Sequence, residues 1–126
     1  MKRIFTLLFA AFVLVSHTSL IGIEDIVGAL KTGNAAQIAK YFDNTVEITL
    51  PSKSNSYSKS QAEVILKDFF ATSGVKGFKT LHKGDNAGSQ FCIGTLQTNS
   101  AMYRTTIYMK QKGDKQVLQE IRFENQ

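Results

Sequence analysis

The apolar positions of this chain change period once. Up to Phe70 they fall mostly at helical spacing, interrupted by one alternating run; from Val75 onward they alternate. The best-specified stretch is Ser58 to Gly74, SKSQAEVILKDFFATSG. Ala62, Ile65, Leu66, Phe69 and Phe70 form the i, i+3, i+4, i+7, i+8 stripe of a helix with one face in a core. Ser58 precedes the stripe and Gln61 lies three residues on, the spacing of a capping box that satisfies two orphan amide donors. Glu63 and Lys67, four apart, support the outer side. Gly74 follows the last periodic residue, where a left-handed cap suits glycine. Phe69 and Phe70 carry the largest apolar payload of the element and read first as core.

Upstream, Ile23, Ile26, Val27 and Leu30 predict a first helix, with Glu24 and Asp25 in the turn where the helix dipole favours acids. Gly33 stops it and Asn34 caps a second, AAQIAKYFDN, which presents Ala35, Ile38, Ala39 and Phe42 on one side. TVEITLP then alternates: Val46, Ile48 and Leu50 face one way, Glu47 and Thr49 the other, and Pro51 ends the strand. SKSNSYS is a polar hairpin or loop anchored by Tyr57. Past the central helix, VKGFKTLHKG, SQFCIGTLQT, AMYRTTIYMKQ and KQVLQEIRFE predict four strands. Their separators, DNAG, Asn99-Ser100 and Lys112-Gly113-Asp114, are short enough for an antiparallel meander. Gly77, Gly94 and the uneven alternation around Phe91 predict bulges or a strongly bent sheet. Without βαβ alternation the class is α+β rather than a parallel sheet.

The 126 residues bound the chain to one domain. MKRIFTLLFAAFVLVS has the form of a signal peptide: Lys2 and Arg3 are its basic end and Ile4 to Val15 its apolar run, too short for a comfortable membrane span. Residues 1–22 are therefore expected to be removed and 23–126 to form a single exported domain, periplasmic or extracellular. No cysteine follows the apolar run, which excludes a bacterial lipoprotein. Removing Lys2 and Arg3 leaves thirteen bases against ten acids, so much of the formal +5 belongs to the leader. The remaining lysines are dispersed, and no arginine-rich patch or aromatic ladder points to nucleic acid. Cys92, the single cysteine, is flanked by apolar residues and reads as a buried, inert thiol.

The order helix, helix, strand, short hairpin, long helix and four antiparallel strands resembles the cone-shaped fold of the nuclear transport factor 2-like (cystatin-like) superfamily, which includes ketosteroid isomerases and polyketide cyclases of the SnoaL type. The chain is more closely similar to an uncharacterised bacterial family of small exported proteins with this fold. The residues that carry the likeness are IEDIVGALKTGNAAQIAKYFDNTVEITLP, YSKSQAEVILKDFF, LHKG, FCIGTL and YRTTIYMK. The resemblance implies a curved sheet on helices, a pocket open at one end, and no assigned activity. No residue carries over as catalytic by matching a motif.

Two groups have chemistry to offer. His82 shares strand parity with Phe78 and Thr80; on a concave face it is a general base or ligand anchor, and otherwise a hydrogen-bonded structural histidine. It lacks companion ligands at metal spacing. Arg104 either binds an anion through its planar fork or pairs with Glu120 on the next strand. Lys83-Gly84-Asp85 lacks the wider glycine pattern of a phosphate loop, and Cys92 with His82 lacks a third group for nucleophilic chemistry. The expectation is a non-catalytic domain without cofactor or metal that binds a small apolar molecule or a protein partner. Phe69, Phe70, Phe91 and Ile107 would be its apolar wall and His82 and Arg104 its polar points. A homodimer through the sheet is a further expectation. The alternative is an isomerase or cyclase with His82 as base.

Overall fold

In the computed structural model, which describes residues 21–126, the periodic segments become three helices and one six-stranded sheet. The expected signal segment lies outside the described residues except for Ile21 and Gly22, which open the first helix, α1 (Ile21–Thr32). Among the described residues no helix is long and apolar enough to cross a membrane.

α1 buries Ile23, Ile26, Val27 and Leu30. The Asn34 side chain accepts a hydrogen bond from the Gln37 amide at 3.1 Å and so caps α2 (Ala35–Ala39). α2 is shorter than its apolar spacing predicts. Phe42, expected on the helix, is instead the first residue of β1 (Phe42–Leu50). Two contacts take the chain out of the helix here. The Tyr41 hydroxyl donates to Asp25 on α1, and the Leu118 amide donates to the Tyr41 carbonyl at 2.6 Å, drawing the backbone into the sheet.

β1 and β2 (Lys53–Ser58) form the hairpin, with Tyr57 opposite Val46 and packed against the core. α3 (Lys59–Ser73) has both halves of the capping box: the Gln61 amide donates to Ser58 Oγ and the Ser58 amide to Gln61 Oε1. Gly74 ends it at φ 74°, a conformation strained for residues with a Cβ, and its amide donates to the Phe70 carbonyl. β3 (Val75–Asn86), β4 (Ser89–Thr98), β5 (Met102–Lys112) and β6 (Lys115–Asn125) follow as an antiparallel meander.

The strand order is β2-β1-β6-β5-β4-β3, and β1 runs parallel to β6. One parallel pair therefore stands in a sheet expected to be antiparallel throughout. The crossover that links its strands is all the chain between them. Of the expected irregularities, β3 carries bulges between Val75 and Gly77 and between Thr80 and His82, the second opposite Gly94; the register is even through Phe91, and β6 slips opposite Tyr108 and Met109.

One face of the sheet packs on the helices. Tyr103, Thr105, Ile107 and Met109 of β5 point into it, as do Leu118, Ile121 and Phe123 of β6 and Cys92 and Leu96 of β4. They meet Ile26, Leu30, Ile38, Ala62, Leu66 and Phe70 in one continuous core. Cys92 is fully buried, as expected of an inert thiol. The alternate residues form an open face.

Candidate functional site

The sheet divides the six expected pocket residues. Phe69, Phe70 and Ile107 lie on the helix-covered side, where the aromatics are spent on packing. Phe69 stacks within 4.8 Å of Phe123 and 5.4 Å of Tyr103, Phe70 meets Phe123 edge-on, and Ile107 is fully buried. His82, Phe91 and Arg104 have the parity of the open face, and Phe91, beside the edge strand β3, also borders the cavity at the start of α1.

For His82 the parity expectation is corrected. Thr80 pairs with Gly94 and His82 with Ile93, so Leu81 is an extra residue in the strand. That bulge turns His82 away from Phe78 and Thr80, onto the opposite face, where its ring lies 5.5 Å from Phe91. Arg104 is corrected too. Its register partner is Glu124, and the carboxylate of Glu120 is taken by Arg122, which bridges Glu120 and Glu124.

The bulge has a second effect. It brings Lys83 to the helix side, opposite Cys92, where its ammonium pairs with Glu24 in the first turn of α1. Gly84 follows. A Cβ there would collide with the Phe91 ring, so the bare backbone is what lets the ring lie down. Asp85 is then opposite Gln90. Ile23, Glu24, Lys83, Gly84, Asp85, Gln90 and Phe91 line an open mouth of about 310 Å³ between the start of α1 and the β3–β4 hairpin. A smaller cavity of about 220 Å³ adjoins it, lined by Asp85, Gly88, Ser89, Gln90, Gln111 and Gln116.

Gln90 belongs to both cavities. It shares the inward parity of Cys92 and Leu96 and is only 3 % exposed, yet its Oε1 has no hydrogen-bond partner among the described residues. Gln116 Oε1 is likewise buried and unpaired, while its Nε2 donates to Gln111. Buried acceptors are normally satisfied, because leaving one unmade costs about 1–3 kcal/mol. Sequence reasoning passed over Gln90, although the signal was there: in SQFCIGTL a glutamine stands at a core-facing position of an alternating strand.

The groups whose acidity the fold shifts are all moved away from the neutral range. Tyr41 is pushed up to about 12 by burial first and by its bond to Asp25 second. Burial pushes the Cys92 thiol up, with the Thr80 hydroxyl opposing. Lys83 is raised by its bond to Glu24, and Asp43 lowered by its bond to Lys112. Each shift deepens the form already dominant near neutral pH, whereas a general acid or base works best close to the operating pH. Among the described residues, no set of three His, Cys, Asp or Glu is placed to hold a metal ion. The arrangement is suited to holding a molecule through a few hydrogen bonds and an apolar contact.

Comparison with known proteins agrees with the fold. A family model described as "Domain of unknown function (DUF4783)" matches residues 23–124. A crystal structure of a DUF4783 family protein from Bacteroides uniformis is 30% identical, with a TM-score of 0.79, over 82% of this chain and 95% of that one. One from Bacteroides fragilis is 29% identical, with a TM-score of 0.77, over 81% and 96%. A nuclear transport factor 2-like protein of unknown function from Cytophaga hutchinsonii is 9% identical with a TM-score of 0.63, over 86% and 90%, and so shares the fold alone. No curated protein matches the chain.

Proposed function

The chain belongs to the DUF4783 family of bacterial domains of unknown function, with a nuclear transport factor 2-like fold, and from that premise we propose that it is a non-catalytic binding domain that takes a small molecule at the mouth beside α1. The observation that carries this reading is the buried, unpartnered Gln90 carboxamide oxygen in the wall of a cavity. A ligand donor there recovers a hydrogen bond that the folded chain lacks. At about 310 Å³ the mouth is at the lower end of the range for small-molecule sites, roughly 300–1,000 Å³. Ile23 and Phe91 supply apolar contact. Of the six residues expected from sequence, Phe91 alone lines this mouth. The signal-peptide form of residues 1–22 supports a role outside the cytoplasm.

Native mass spectrometry of the protein isolated from its own host tests the reading. The expected result is an additional mass, lost on denaturation and absent from Gln90→Met. A clean protein mass, together with no rise in melting temperature across a broad panel of lipids and metabolites, overturns it.

A second reading, a homodimer through the open face, has its own observation. That face carries Asp43, Glu47, Glu120 and Glu124 on β1 and β6, an acidic excess that Lys112 and Arg122 offset in part, and Lys79, Arg104 and Lys110 on β3 and β5. A two-fold axis sets the acidic half of one copy against the basic half of the other, with exposed Met102 between. Light scattering should then report a dimer that dissociates as salt is raised; a monomer at high concentration and low salt removes this reading.

A further inference from the structure

The mouth and the smaller cavity share Asp85 and Gln90, so they adjoin across these residues and together make a groove. One end is apolar, at Ile23 and Phe91. The other is rich in acceptors. Gln90 Oε1 and Gln116 Oε1 are both buried without a donor, and Asp85 lines both cavities. Two unpaired carboxamide oxygens call for N–H or O–H donors from whatever fills the groove.

Charge selects among donors. A carboxamide can also turn its amino group to an anion, so the glutamines alone do not set the sign. The formal charges along the groove are Glu24, Lys83 and Asp85. Lys83 is held by Glu24, and among the described residues Asp85 makes no ion pair. The remaining charge is one carboxylate, which attracts a cation and repels an anion. A primary ammonium brings three N–H donors and no acceptor, a set that matches two amide oxygens and one carboxylate.

We propose that this groove binds a cationic primary amine with an apolar body, its ammonium among Gln90, Gln116 and Asp85 and its body against Ile23 and Phe91. The proposal rests on the reading of the mouth as a binding site. It also assigns to that site Gln116, which the sequence did not mark, and Asp85, which it offered only within a rejected phosphate loop.

The test compares three probes that share one phenyl ring and differ in the head group: phenethylamine, phenethyl alcohol and hydrocinnamate. Each is titrated into the protein and followed by heteronuclear NMR on the side-chain amides of Gln90 and Gln116. The amine is expected to bind tightest and to move both amides. Asp85→Asn, an exposed and isosteric change, is expected to weaken the amine by about five- to tenfold, as loss of one charge-assisted hydrogen bond implies, and to leave the alcohol unchanged. If the alcohol or the carboxylate moves Gln90 as strongly as the amine, the amine assignment is overturned while the mouth stands as a binding site. If none of the three moves Gln90, the amine assignment is overturned as well, and the mass-spectrometric and melting experiments decide the mouth separately.

Discussion

On the inward side of β4, Cys92, Gly94 and Leu96 are what a buried strand requires, and Gln90 is what it does not. Replacing Gln90 by methionine keeps the length of the side chain and removes the unpaired acceptor. Gln90→Met should therefore raise stability by about 1 kcal/mol while abolishing ligand contact at the mouth. Denaturant unfolding checks the first part; lower stability would mean that the amide is already satisfied. Tyr41 works in the opposite sense, since its polar atom is fully engaged. Its hydroxyl donates to Asp25, which also accepts from Gln37, and ties α1 to the start of β1. The neutral phenol is the form the fold prefers. The associated stability is complete below the ordinary value of 10 and is lost as pH rises from 10 to about 12. Tyr41→Phe should lower stability at neutral pH and remove this part of the alkaline loss. Unfolding of both proteins along an alkaline series, with tyrosinate absorbance as the monitor, reads the difference.

Elements whose signals are local were legible, and those decided by a partner strand were not. α3 is the clear case of the first. Its cap, stripe and stop all lie within Ser58–Gly74, and each appears as read. Ser58→Ala removes the oxygen that receives the Gln61 amide and should cost about 1 kcal/mol, seen as a lower denaturation midpoint with an unchanged slope. β3 is the case of the second. Alternation by itself put His82 with Phe78 and Thr80, but whether Leu81 is skipped depends on the hydrogen bonds β4 offers, and parity carries no information about them. The end of α2 failed for the same reason. Phe42 fits the apolar side of a helix, and it is the Tyr41 bond to Asp25 and the amide of Leu118, both from outside the segment, that take the chain into the sheet. The site followed suit. Phe91 was identified by its size, whereas Gln90 and Asp85 became neighbours through a register that the residues on one strand do not encode.

For the molecule as a whole the deciding feature is the place of β6, between β1 and β5. It supplies Leu118, Ile121 and Phe123, all fully buried, and it is the common partner of the β1–β2 hairpin and the β3–β5 meander. A chain ended at Gly113 should show no cooperative thermal transition, because it retains two part-sheets with no strand to join them; a sharp transition in differential scanning calorimetry would contradict this. The parallel alignment of β1 with β6 was not foreseen because the rule of alternating βαβ units describes short crossovers, and here the crossover is α3 and four strands. The same arrangement bears on how the chain is made. Synthesis proceeds from the N-terminus, and the strand that closes the sheet comes after every strand it joins. Until it has left the ribosome, the growing polypeptide carries exposed edges on β1 and β5 and a half-built core, so stable closure of the sheet waits for the last strand, and the chain keeps until then the unfolded state that the export proposed for it would require.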